Sequence, residues 1–403
     1  MALYGELAAA ADVVVIGGGA AGLMCAIEAG KRGRGVVVLE HNREIGRKIL
    51  ISGGGRCNFT NLHTGPEHFL SANRHFAKSA LARYRPGDFI QLVERHAIRY
   101  HEKKLGQLFC DGPARGIVAM LEAECAAAGV RIEAGCPVGQ IARSDGEYLV
   151  QTGRGGWRAP SLVIATGGLS IPKLGATPFG YEVARQFGLK IAACRPALAP
   201  LVFSRADRDR YADLAGVASE VAVCANGHRF QERMLFTHRG LSGPSILQAS
   251  SYWAPGEAIE IDLLPGSNSI EGLRTARTEP GERPSLRAFL GRHLPKRLAE
   301  RWLEIHAEFE GARSVAAMSD REIEAISTAL HAWRVIPAGT EGYEKAEVTA
   351  GGVDTSEISS RTFEARKSPG LYFVGEVLDV TGQLGGFNFQ WAWASGFSAG
   401  QVV

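Results

Sequence analysis

The stretch that most limits what this chain can become lies near its start. Asp12-Val13-Val14-Val15-Ile16 enters Gly17-Gly18-Gly19 and leaves as Ala20-Ala21-Gly22-Leu23-Met24-Cys25-Ala26. A four-residue apolar run is too short for a surface helix and reads as a buried parallel strand feeding a helix. The glycines at 17, 19 and 22 have separate tasks in such a unit: a tight turn, a close backbone approach to a pyrophosphate, and tight packing of the helix on the strand. The helix N-terminus then offers unpaired N–H groups to an anion. A second strand, Val36-Val37-Val38-Leu39, ends in Glu40, about the offset expected of the carboxylate that holds a ribose diol. That carboxylate would repel a 2′-phosphate, so the unit predicts FAD or NAD rather than NADP.

Length and composition narrow the class. A chain of 403 residues can bury a large core and suggests two or three domains. Glycine, at 50 of 403 residues, is about 12% against a usual ~7%, as expected where several loops bring backbone against a ligand. The formal charge of +3 comes from 45 basic and 42 acidic residues without a long run of either sign, which argues against a nucleic-acid or membrane surface. Seven cysteines without a C-x-x-C pair argue against a disulfide framework or a zinc site and suit a reducing compartment. The start lacks a signal-peptide pattern and no apolar run reaches membrane-spanning length. A soluble, cytoplasmic protein is expected.

After Glu40 comes Ser52-Gly53-Gly54-Gly55-Arg56-Cys57-Asn58-Phe59-Thr60-Asn61, which reads as a loop able to lie flat on a planar or anionic ligand. Cys57 invites a redox reading, but without a neighbouring Cys a small buried thiol is the simpler account. Residues 62–130 read as mostly helical. Glu147–Gln151 and Gly156–Ala159 read as a hairpin leading to a third buried strand, Ser161–Ala165, which ends in Thr166-Gly167-Gly168. Residues 195–264 alternate in short segments and predict a small β-domain. Within it, Phe236-Thr237-His238-Arg239-Gly240-Leu241-Ser242-Gly243-Pro244 reads either as a turn with a solvated His and Arg or as a substrate-facing loop opening a helix near Ser245. Residues 266–330 read as a packed helical insert. Leu298, Trp302, Ile305 and Phe309 form one stripe of an amphipathic helix there, and Ser319 with Glu322 forms a capping box. The last segment, with Leu371–Gly375-Glu376, Asp379 and then Gly385-Gly386-Phe387-Asn388 before an apolar helix, returns to α/β and presents a second helix N-terminus.

Taken together, these segments resemble the bacterial family of FAD-containing flavoproteins that carries the names NAD(P)/FAD-dependent oxidoreductase, aminoacetone-oxidase-like protein and 3-dehydro-bile-acid reductase. The match covers essentially the whole chain. The resemblance implies an α/β fold: a glutathione-reductase-like FAD-binding domain (1–194 and 340–403), an inserted β-barrel-like substrate domain (195–265 and 331–339) and the helical insert (266–330). It implies FAD contacts from Gly17, Gly19, Ala20, Ala21, Gly22, Glu40, His41, Lys48, Gly54, Gly55, Arg56, Asn58, Val138, Ala165, Thr166, Gly167, Gly375, Glu376, Gly386, Phe387 and Asn388. In that scheme Glu40 holds the adenosine ribose, the Val138 backbone meets the adenine, Gly375-Glu376 reach the ribityl-pyrophosphate region, and Gly385–Asn388 sit at the isoalloxazine.

Only one strand-GxGxxG-helix is present, so a permanent nicotinamide domain is not expected. The missing C-x-x-C argues against disulfide exchange. The expected activity is that of an FAD-dependent oxidoreductase passing a hydride between transiently bound NAD(P)H and a small or medium organic molecule, with Arg56, His238 and Arg239 lining the pocket between flavin and β-domain. No metal and no nucleic-acid partner are expected. The alternatives are an amine oxidase using oxygen and a flavin-containing RNA-modification or regulatory protein. The residues leave open the substrate, the choice of NADH or NADPH, the catalytic acid or base and the oligomeric state.

Overall fold

The computed structural model describes residues 8–278, 284–309, 311 and 313–403. The expected FAD-binding segment 1–194 and helical insert 266–330 therefore include residues (1–7, 279–283, 310 and 312) outside the described ones. The chain forms two compact units, Met1–Pro196 with Val348–Val403, and Ala197–Glu347.

The first unit is built on a five-stranded parallel sheet in the order Leu371–Phe373, Ser161–Ile164, Val13–Ile16, Val36–Glu40, Arg131–Ala134. The central strands are apolar throughout because both their faces are covered. The strand order reverses between Val13–Ile16 and Ser161–Ile164, and α/β sheets open a crevice beyond the carboxyl ends of strands at such a point. Helix Ala20–Lys31 leaves the first strand and packs on the C-terminal helix Phe387–Gly400. Their backbones approach closely, since a Cβ on Gly400 would come 2.7 Å from the Cys25 carbonyl oxygen. The expected hairpin forms, with Glu147–Thr152 antiparallel to Gly155–Ala159, and the strand Val138–Ser144 extends it.

Two expectations need correction here. Residues 62–130 do contain helices Lys78–Arg83, Pro86–Arg95 and Arg115–Ala127. They also hold strands Phe69–Leu70, Tyr100–Glu102 and Gln107–Cys110, and the last two form a three-stranded sheet with Asn58–Asn61. Strands of two to four residues are too short for a two-residue period to be legible. The expected loop at 52–61 is instead the broken end of helix Arg47–Gly55, where Gly53 and Gly54 turn left-handed, followed at once by the strand Asn58–Asn61.

The second unit holds a seven-stranded antiparallel sheet in the order Trp333–Val335, Ile259–Asp262, Ala218–Ala225, His228–Phe236, Gly240–Ser242, Leu201–Val202, Gly339–Thr340. The sheet is open, because its edge strands Trp333–Val335 and Gly339–Thr340 do not pair with each other. Helices Ser269–Thr278, Leu286–His293, Lys296–Ile305 and Asp320–His331 share one core with it, in which Val221, Val223 and Ile261 join Leu290, Leu298, Trp302 and Ile323. The aromatic stripe spans two elements: the helix stops at Ile305, and Phe309 returns on the turn Ala307–Phe309 to stack on Trp302 at 5.7 Å. The Ser319–Glu322 capping box forms as expected.

Candidate functional site

At the carboxyl ends of the parallel strands the fingerprint turn is held from both sides. Gly17 N–H donates to Leu39 O, and Gly46 N–H to Gly18 O. Gly17 has φ +113°, and a Cβ there would run into the Ala165 carbonyl, so only glycine fits at the crossover. Gly19 differs: no protein atom lies within 4 Å of where its Cβ would be. Its open face precedes helix Ala20–Lys31, whose first amides, those of Ala20 and Ala21, have no intrahelical partner. This is the geometry that accepts an anion.

Glu40 ends the second strand almost fully buried. One carboxylate oxygen accepts from Gly18 N–H at 2.8 Å. The other accepts from the N–H and the side-chain amide of Asn42, both at 2.8 Å, and lies 3.2 Å from His41 Nδ1. A carboxylate oxygen held this way still has lone pairs for a hydroxyl donor. His41 is exposed beside it, and Val138 opens the strand that follows Arg131–Ala134.

A second polar cluster gathers residues far apart in sequence. Lys48 Nζ donates to Ser170 Oγ at 2.6 Å and pairs with Glu376 at 2.8 Å. The other Glu376 oxygen accepts from Thr349 N–H at 2.9 Å and from Ser170 Oγ at 3.2 Å. Ser170, after the strand Ser161–Ile164, and Thr349, within the strand Val348–Val353, were not legible as site residues, because a lone Ser or Thr carries no signal of its own. Nearby, Thr166 Oγ1 is buried with no hydrogen-bond partner among the described residues, and no atom lies near the Cβ position of Gly167. Gly375 is pinned by the C-terminal helix: Ser395 Oγ accepts from its N–H, and its carbonyl accepts from the Trp391 indole, both at 3.0 Å.

The third cluster surrounds the start of the C-terminal helix. Gly386, at φ +96°, passes so close to Thr60 O that a Cβ would collide with it. Asn58, with its amide nitrogen turned to Leu108 O and Thr60 O, accepts from Gly386 N–H at 3.2 Å. Asn388 folds back, accepting from Gly382 N–H at 2.8 Å and donating to Gly382 O at 2.9 Å. Phe387 stacks on His68 at 4.5 Å, and Asn61 donates to Gly385 O at 2.9 Å. His68 and Asn61 are thus further members of this cluster, visible only once the strands are assembled.

Cys57 is a fully buried small thiol, and desolvation pushes it up to about 12, which favours its protonated form. Burial likewise raises the Asp379 carboxyl above the usual range, although Ala72 N–H donates to it. Arg56 is exposed, and Gly54 beside it faces open space. In the second unit, His238 is exposed at the tip of a tight turn in which Thr237 Oγ1 accepts from Arg239 N–H and Gly240 N–H. Arg239 reaches Glu341 at 3.4 Å.

An open glycine before a helix N-terminus, a buried carboxylate at the end of the second strand and a buried orphan hydroxyl suit a dinucleotide with an anionic middle and a ribose diol. The residues present therefore fit FAD.

The model of the HI0933-like protein Rossmann domain matches residues 11–402. The chain is 49% identical over 391 residues to the ribosomal RNA dihydrouridine synthase of Escherichia coli (strain K12), covering 97% of each chain. It is 48% identical to the ribosomal RNA dihydrouridine synthase of Haemophilus influenzae, covering 96% of each. It is 30% identical over 408 residues to the 3-dehydro-bile acid delta(4,6)-reductase of Clostridium scindens, covering 96% of this chain and 98% of the reductase. These relatives overturn the expectation that no nucleic acid is involved, which rested on a near-neutral charge averaged over the whole chain. No helix among the described residues is long and apolar enough to cross a membrane. The chain belongs to the HI0933-like Rossmann family and is an FAD-dependent oxidoreductase.

Proposed function

We propose that this member of the HI0933-like family reduces uridine to dihydrouridine in ribosomal RNA, with NAD(P)H as the transient source of reducing equivalents. The observation that carries this reading is 49% identity along 97% of a ribosomal RNA dihydrouridine synthase. Saturating the uracil C5=C6 bond requires a hydride at C6, the position conjugated with the C4 carbonyl, and a proton at C5. Bound FAD supplies the two-electron chemistry.

The chain's own residues divide the remaining work. The amides of Ala20 and Ala21, beside Gly17, Gly19 and Gly22, receive the pyrophosphate. Glu40, with His41 at its side, holds the adenosine ribose, and the Val138 backbone meets the adenine. Lys48 and Glu376, with Gly375 and Ala165–Gly167, bind the ribityl-phosphate segment, where the Lys48–Glu376 pair keeps the carboxylate fixed and neutralised. Gly386, Phe387 and Asn388, supported by Asn58, would hold the isoalloxazine beside the N-terminus of helix Phe387–Gly400, whose positive dipole end would favour negative charge there. Arg56, His238 and Arg239 are the proposed substrate-side polar groups.

The test incubates the purified flavoprotein anaerobically with NADPH or NADH and an unmodified ribosomal RNA transcript, then digests the RNA and measures nucleosides by mass. A nucleoside two hydrogens heavier than uridine, formed only with protein and nicotinamide, supports the reading. Nicotinamide-driven reduction of a steroid dienone with no change in the RNA overturns it.

A further inference from the structure

Charge in the second unit is unevenly distributed. Residues 284–299 carry Arg287, Arg292, Lys296 and Arg297 and no aspartate or glutamate, leaving 41 of the 45 basic residues against all 42 acidic ones elsewhere. The chain-wide balance hides a local charge of +4. In the structure this stretch forms helix Leu286–His293, a two-residue link, and the start of helix Lys296–Ile305. Leu290, Leu294, Leu298 and Trp302 are buried beneath it and fix the turn in place. Arg287, Arg292, His293, Lys296 and Arg297 all stand exposed.

The surrounding cations behave differently. Arg301, one turn further on, pairs with Asp213 and Glu304, both at 2.9 Å, and Arg274 and Arg277 both pair with Asp320. None of the four cationic side chains Arg287, Arg292, Lys296 and Arg297 makes an ion pair among the described residues, and neither does His293. Folding stability favours Arg292 and His293, which sit in the last turn of helix Leu286–His293 at the negative end of its dipole, but it does not explain Lys296 and Arg297. Lys296 and Arg297 occupy the first turn of their helix, where the dipole disfavours positive charge, and no acid accompanies them there.

We propose that the turn Arg292–Arg297 is the surface on which the phosphodiester backbone of the ribosomal RNA docks. This rests on the proposed RNA substrate and adds the place where it is held. RNA suits the turn better than a protein or a membrane, because both of those need apolar anchors as well as charge. Among the described residues, the exposed large hydrophobic side chains, Ile51, Leu62, Leu105, Ile336 and Val402, all lie on other elements. Phosphate contacts need only placed cations.

The test compares the holoprotein with its Arg292→Gln, Lys296→Gln, Arg297→Gln triple variant, all at exposed positions that accept a good helix former. Binding to an unmodified ribosomal RNA transcript is measured across a potassium chloride series, with the flavin spectrum as the check on folding. Loss of three phosphate contacts should flatten the plot of log K against log salt by about 2, and weaken binding about tenfold or more near physiological salt. An unchanged slope in the variant, while the wild type binds and reduces the transcript, overturns this proposal alone. A wild type that neither binds nor modifies the transcript overturns the proposed function and this docking surface with it. Binding to phosphatidylserine vesicles in place of RNA overturns the docking surface as well.

Discussion

Gly22 lies so close to Gly17 that a Cβ on Gly22 would fall well under 3.0 Å from the Gly17 carbonyl oxygen, a separation that real Cβ atoms essentially never show. The first helix can begin where it does only because the later glycine has no side chain. Gly22→Ala therefore has to push the helix away from the turn that presents Gly19. The expected result is a loss of about 2 kcal/mol or more in stability, as backbone-constrained sites show, and protein purified without flavin. Visible absorbance and a thermal melt check both.

The Lys48–Glu376 pair should be measurable by a double-mutant cycle. Lys48→Met leaves the partly buried Glu376 carboxylate without its counter-charge and should destabilise the first unit by about 1–3 kcal/mol. Glu376→Gln keeps an oxygen for Thr349 N–H and should cost less. The two effects should not add, because the second change removes the charge that the first leaves stranded. Urea unfolding of both single variants and the double variant reads the coupling.

Buried thiols predict an alkaline limit. Burial raises Cys25, Cys57 and Cys125 from 9.0 to about 12. The unfolded chain loses these protons first, so stability is fully present below about pH 9 and falls as pH rises toward 12. Each thiol contributes a slope of about 1.4 kcal/mol per pH unit in that window. Denaturant unfolding at pH 8, 9 and 10 should show the decline, and Cys57→Ala should remove one share. The native protein at pH 8 should leave Cys57 unmodified by iodoacetamide.

In the second unit, Ser319 accepts from Glu322 N–H, and the Glu322 carboxylate accepts from Ser319 N–H at 2.7 Å. Ser319→Ala should cost about 1 kcal/mol through the lost cap. Flavin content should stay at the wild-type level, which circular dichroism melts and absorbance together would check.

The sequence made the nucleotide-binding frame legible because its signals are local. Val13–Ile16 reads as a buried strand from four apolar residues, the glycine spacing follows within six, and Glu40 closes the second strand. The capping box at Ser319 was legible for the same reason: its two members are three residues apart. The short strands Tyr100–Glu102 and Gln107–Cys110 were not, since three or four residues show no period, and pairing with Asn58–Asn61 is what makes them strands.

What the chain's own order determined is that a dinucleotide could be held: a strand, a turn stripped of side chains, a helix N-terminus and a placed acid, all set by short-range backbone sterics. Tertiary structure alone decided what surrounds that frame. It joined Lys48 to Glu376 across 328 positions and Asn61 to Gly385 across 324, contacts that no spacing rule encodes. It also sorted the charges. A chain with 45 basic and 42 acidic residues reads as balanced, but an ion pair depends on distance in space. Only folding pairs Arg301 with Asp213 and leaves Arg292, Lys296 and Arg297 facing solvent.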